Sequence, residues 1–197
     1  MAFKPAPGEN YTIRRKVLTI FGAKFHVYDE SGGVVAFCHQ KAFKLREDIR
    51  LYTDESRSET LLVLRARSVI DFGVTFDVQL PSGESLGSMR RKGMKSSFVR
   101  DEWLVFDAEG RQVAVLSEQG GFAPFARRFI DYASLLFPQR YAMVRSADGA
   151  ELSKYRQHFN PFVYRLGISP LMEDEHLDDL LILASGCLIA AIEGRQN

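Results

Sequence analysis

Cysteine is nearly absent from this chain: Cys38 and Cys187 stand far apart, without CxxC or ligand-like spacing. That excludes a disulfide-stapled scaffold and a thiolate metal site, and both side chains read as buried thiols in a reducing compartment. Excess charge of one sign is missing too. Lys and Arg number 26 against 25 for Asp and Glu, so the whole-molecule field gives no general pull on nucleic acid, and none is expected as a partner. Any anion binding has to be local. The four histidines, His26, His39, His158 and His176, are dispersed without HxH or HExxH spacing, so neither a metal nor another cofactor is expected.

No apolar run is long enough to cross a bilayer. The best candidate, LLILASGCLIAAI over Leu180 to Ile192, spans roughly 20 Å at about 1.5 Å per residue, against roughly 30 Å of hydrocarbon. Asp178, Asp179 and Glu193 flank it where a membrane helix would favour Lys or Arg. The opening residues MAFKPAPGENYTIRRK hold no apolar stretch of secretory length, and they read as a cytoplasmic start with 1–8 loose. The whole of 1–197 reads as one domain, since no low-complexity run or linker interrupts it.

What the chain does hold is alternation. FHVYDESGGVVAFCHQK, FDVQLPSGESLGSMRRK, WLVFDAEGRQVAVLSEQ and YAMVRSADGAELSKYRQ each place an aromatic-led strand, a Gly-containing turn and a second strand in succession. Period-2 hydrophobicity around such a turn is the pattern of a β-hairpin with one buried face. DIRLYTD with TLLVLRAR supplies another pair, and YTIRRK and FVYRLG add one strand at each end. About a dozen strands result.

So many antiparallel strands leave sheet edges that closure removes, and a barrel this wide has a hollow that inward side chains leave unfilled. Leu180 to Ile192 is apolar on every face of a helical wheel, so it needs protein on all sides. The expected fold is therefore mainly β: a closed antiparallel barrel around a central hydrophobic C-terminal helix. A further helix is expected over 124–137, PFARRFIDYASLLF, stopped by Pro138.

KAFKLREDIRLYTDE, RARSVIDFGVTFDV, LGSMRRKGMKS followed by WLVFDAEG, and the hydrophobic C-terminal helix together resemble the tubby-like C-terminal fold. Within it the chain is most similar to the LURP-one-related proteins and more distantly to phospholipid scramblases, over roughly Glu9 to Glu193. The resemblance implies twelve strands wrapped around one helix. It also implies a choice of activities, since such domains include phosphoinositide-binding adaptors and proposed lipid scramblases. The cysteine-rich palmitoylated stretch and proline-rich arm of scramblases have no counterpart here, which counts against lipid translocation.

The tightest basic cluster is Arg90, Arg91, Lys92 and Lys95, with Ser96 and Ser97, around Gly93. Backbone N–H groups beside several cations suit a phosphate, and the alternative is a solvated hairpin end. Arg14, Arg15 and Lys16, then Arg65 with Arg67, then Arg127 and Arg128, are further basic groups whose convergence the sequence leaves open. GESLG over 83–87 spells a nucleophile elbow, but that motif needs a helix after its Ser85 and a strand is expected instead. GMKS over 93–96 lacks the glycines of a P-loop. The acidic run from Glu173 to Asp179 reads as carboxylates at the positive end of a helix, with a weak calcium site as the other reading.

Two function classes stay open. The first is a non-enzymatic tubby-like domain that binds anionic phospholipid or a phosphoinositide headgroup at a membrane surface through the Arg90 to Lys95 loop. The second is a protein–protein adaptor with no lipid role, contacting its partner through aromatics such as Phe122 or Phe125. Scramblase-like translocation and hydrolysis rank behind both, and no catalytic residue is assigned.

Overall fold

The computed structural model describes residues 3–16, 23–40, 48–67, 74–92, 102–119, 138–160 and 162–193. Twelve strands follow in order: β1 (Tyr11–Lys16), β2 (Ala23–Asp29), β3 (Val34–Gln40), β4 (Ile49–Tyr52), β5 (Thr60–Ala66) and β6 (Thr75–Gln79), then β7 (Ser85–Arg91), β8 (Glu102–Phe106), β9 (Gln112–Gln119), β10 (Arg140–Arg145), β11 (Glu151–His158) and β12 (Val163–Pro170). A helix, α1 (Asp179–Glu193), comes last. Every strand pairs antiparallel with its sequence neighbours, and β1 closes the wall by pairing with β12 as well. Closure leaves no free edge. The helix expected over 124–137 lies outside the described residues.

The hairpins read from the sequence are the wall. On β8, Trp103 and Val105 are buried while Glu102, Leu104 and Phe106 are half-buried, the alternation of a strand with one face turned inward. Ile13 sits between Val27 on β2 and Leu166 on β12 in register, and all three are fully buried.

Down the middle runs α1, buried from Leu181 through Ala191 with no wet face. Its fit depends on small residues. Ala184, Ser185 and Gly186 bring its backbone close to the wall, and a Cβ on Gly186 would run into Ile168 of β12. On the wall side Gly87 does the same: its φ is 142°, and a Cβ there would strike the Phe106 carbonyl and lie 3.1 Å from Leu181. The few polar groups inside are engaged. Tyr155 Oη donates to the Ile182 carbonyl at 3.2 Å, and Ser185 Oγ donates to the Leu181 carbonyl at 2.8 Å.

Both helix ends are answered by charge. Asp178 is the N-cap, its Oδ1 accepting the Leu180 N–H at 2.7 Å. The last turn of α1 has no basic residue of its own. Arg15, buried on β1, brings its guanidinium to the Ala190 carbonyl at 3.5 Å, where the helix dipole favours a cation.

Part of the segment expected to be loose touches the wall. The Phe3 ring lies 4.7 Å from that of Tyr28 and beneath the guanidinium groups of Arg14 and Arg165.

Burying one Leu or Ile side chain stabilises by about 1.5–3 kcal/mol, and α1 buries Leu181, Ile182, Leu183, Leu188 and Ile189. Leu183→Asp is expected to abolish the cooperative thermal transition, because an unpaired carboxylate inside the barrel costs several kcal/mol. Leu183→Met should cost less than about 1.5 kcal/mol. An aspartate variant that melts like the wild type would remove the helix from the barrel's interior.

Candidate anion-binding surface

In a wall of period 2, consecutive basic residues face opposite ways. On β7 Met89 is buried and reaches α1, with its sulfur 3.1 Å from Ser185 Oγ. Arg90 therefore points outward, where its guanidinium lies 5.1 Å from the Phe106 ring centroid. Arg91 turns inward over the buried Trp103 ring at 5.9 Å. Lys92 is outside again, its Nζ donating to Glu102 Oε1 at 3.1 Å. Three cations adjacent in sequence are thus divided between two faces. Lys95 and Ser96, the other members of the expected site, lie outside the described residues, as do Ser97, Phe122, Phe125, Arg127 and Arg128.

The same rule separates Arg14, over Phe3 on the outer wall, from Arg15, buried beside Tyr164. Arg65 and Arg67 do share the outer face. Arg65 Nε is 3.5 Å from Asp48, and Arg67 Nη2 is 2.6 Å from Asp77. Register places Arg90 opposite Thr75, and the Arg67 N–H donates to the Thr75 carbonyl. Arg67 and Arg90 therefore flank Thr75, with Lys92 beyond, in one exposed basic patch across β5 to β8.

A meander sends alternate connectors to opposite ends of the barrel, and the two ends differ in charge. At the end where α1 starts, the connectors carry Glu30, Glu84, Asp107, Glu109, Asp148, Glu173, Asp174, Glu175 and Asp178. Of the arginines there, Arg111 is held by Asp107 at 2.7 Å and Arg145 by Asp174 at 2.6 Å, while Arg57 lies 3.1 Å from His39 Nδ1. Burial opposes ionisation of Asp107 and Asp174. The backbone N–H and guanidinium of Arg111 outweigh it for the first, and the His176 N–H with the Arg145 guanidinium for the second, holding both carboxyls below the ordinary carboxylate range.

At the opposite end, among the described residues, stand Lys24, Arg67, Arg90 and Lys92, with the carboxylates of Asp48 and Glu102 beside them. There too is a feature the sequence reading passed over. Phe159 and Phe162, on the connector between β11 and β12, are 57% and 72% exposed. Asn160 Oδ1 accepts the N–H groups of Phe162 and Val163 at 2.9 and 3.0 Å, fixing the turn that presents them. The signal was legible as two phenylalanines around an Asn-Pro turn.

Other candidates resolve into structure. Ser85 opens β7, so GESLG is a hairpin turn followed by a strand. His26 meets Glu55 at 2.8 Å, His176 meets Glu175 at 3.3 Å, and His158 joins Glu9. Burial pushes the Cys38 and Cys187 thiols up, so neither is a thiolate nucleophile at neutral pH.

Neither a family model nor a curated protein sequence matches this chain. Among solved structures, the chain is similar to an X-ray structure of a protein from Arabidopsis thaliana, with a TM-score of 0.49, 13% identity and 98% of each chain covered. Among the described residues no helix is long and apolar enough to cross a membrane.

Carboxylates with depressed folded-state pKa values stabilise above the unfolded value and lose that contribution as pH falls through the folded one. Stability should therefore drop below about pH 4. Replacing Asp107 and Asp174 by Asn is expected to lower the melting temperature at pH 7 and to flatten the acid limb. An unchanged limb would show that these pairs do not set it.

Proposed function

We propose that this chain is a single non-enzymatic binding domain of the tubby-like, LURP-one-related type that docks on anionic phospholipid surfaces, peripherally and inside the cell. The observation that carries this reading is polarity without net charge: among the described residues, carboxylates crowd one end of the barrel, and Lys24, Arg67, Arg90 and Lys92 outnumber Asp48 and Glu102 at the other, beside two exposed phenylalanines. An anionic membrane repels the first end and attracts the second. Phe159 and Phe162 add apolar area at the headgroup boundary, where aromatic rings partition well. The resemblance to tubby-like domains, whose members bind phosphoinositides, supports the same reading.

The absence of catalysis from this proposal rests on side-chain chemistry. Ser85 begins a strand, the thiols are buried and protonated, and His26, His158 and His176 are each engaged by a carboxylate. A second reading, a protein adaptor, draws on the same exposed pair Phe159 and Phe162.

Co-sedimentation with phosphatidylserine vesicles separates the two. Docking should weaken as salt rises from 50 to about 500 mM, where the screening length shrinks to a few ångströms. Replacing Arg67, Arg90 and Lys92 by Gln should each cost roughly 1 kcal/mol of vesicle affinity, about fivefold. Phe159→Ser with Phe162→Ser should lower it further. Equal binding to neutral phosphatidylcholine vesicles, or binding indifferent to all five substitutions, would overturn the proposal; loss of vesicle binding altogether would favour the adaptor.

A further inference from the structure

Like charges directly opposite on paired strands repel, because their Cβ atoms stand only about 4.5–5.5 Å apart. The wall contains two such arginine pairs. Arg14 on β1 faces Arg165 on β12, and that pair is covered: the Phe3 ring lies 4.4 and 4.9 Å from the two guanidinium carbons, and Glu9 reaches Arg165 at 3.8 Å. Arg140 on β10 faces Arg156 on β11 in the same way. This second pair has no ring above it and no carboxylate within ion-pair distance among the described residues. Both residues are exposed.

The uncovered pair lines a groove of about 440 Å³ on the outer wall of β10 to β12. Next to the arginines, register places Ala142 opposite Lys154 and Lys154 opposite Ser169, so two small side chains keep the wall low and leave the hollow. Lys154 brings a third cation, tethered to Glu151 at 2.9 Å. Glu9 borders the groove, but its carboxylate is already taken by Thr12, His158 and Arg165. The charge left unanswered is positive.

We propose that this groove binds a phosphate monoester, with Arg140 and Arg156 forking the phosphate oxygens from either side. Two planar guanidinium groups match a tetrahedral oxyanion through paired charge-assisted hydrogen bonds. The groove falls in the lower part of the small-molecule range of roughly 300–1,000 Å³, room for a phosphorylated sugar or polyol and more than a bare ion needs. It lies on β10 to β12, away from the Arg67, Arg90 and Lys92 patch on β5 to β8. Its occupancy is therefore tested by substitutions distinct from those at the β5 to β8 patch.

The same chemistry comes from a lipid headgroup or from a free phosphate ester, and the test has an arm for each. The full chain is titrated with glycerol 3-phosphate and with inositol 1,4,5-trisphosphate while amide NMR shifts are followed. Saturable shifts are expected at 139–142 and 154–157. Arg140→Gln and Arg156→Gln should each weaken binding roughly tenfold or more, since a hydrogen bond to a charged group contributes about 1.5–3 kcal/mol. Their melting temperature should hold or rise, because a repulsion is removed. Arg50→Gln, on β4, should change nothing.

Phosphoinositide vesicles that bind less well to the double variant, while phosphatidylserine vesicles bind as before, would support the site with a headgroup as its source. Soluble esters that depend on the two arginines, with no vesicle effect, would support it with a free ester. No saturable shift from either ester, or a shift that survives the double substitution, would overturn it. Phosphatidylserine binding through the β5 to β8 patch succeeds or fails separately.

Discussion

Twelve paired strands enclose more space than their inward side chains fill, and a helix apolar on all sides has no stable place in water; each problem is the solution of the other. In this molecule the exchange is close-fitting. Gly87 and Gly186 let wall and helix backbones approach, Tyr155 and Ser185 answer helix carbonyls, and Asp178 and Arg15 answer the two ends of the helix dipole. The wall depends on this filling, because without it the buried faces of all twelve strands would line a void.

From the filled meander follows the distribution of charge. Neighbour-to-neighbour pairing sends connectors alternately to the two ends, so in a chain with 26 basic and 25 acidic residues the described residues still gather carboxylates at one end and exposed cations with Phe159 and Phe162 at the other. Net charge governs long-range attraction only for a molecule whose charges are mixed. Here they are sorted, with carboxylates concentrated where α1 starts and Lys24, Arg67, Arg90 and Lys92 at the other end of the described barrel.

Alternation then decides which cations can cooperate. Arg90 and Arg91 are adjacent in sequence and on opposite faces of the wall, whereas Arg67 and Arg90 come from different strands and flank one threonine. Arg14 and Arg165 show how the fold quiets two like charges, by laying an aromatic ring and a carboxylate over them. Arg140 and Arg156 have the same register without that cover among the described residues, and the proposed phosphate site rests on that difference.

Much of the architecture was legible in the sequence, because strand alternation and Gly-bearing turns are local signals. YTIRRK, the four long hairpins, the pair DIRLYTD and TLLVLRAR, FVYRLG and the all-round apolar run over Leu180 to Ile192 determined the strand count, the closure and the buried helix before any coordinate. The candidate site was legible only as composition. That Arg90, Arg91 and Lys92 divide between two faces follows from a period of two once the strand is known to continue through Arg91. Which distant residues meet is different in kind. The pairing of Arg140 with Arg156, the cover that Phe3 gives Arg14, and the exposure of Phe159 and Phe162 depend on register and on what lies across the wall, and strand register is settled by the closing of the whole barrel, a property no local stretch of sequence carries.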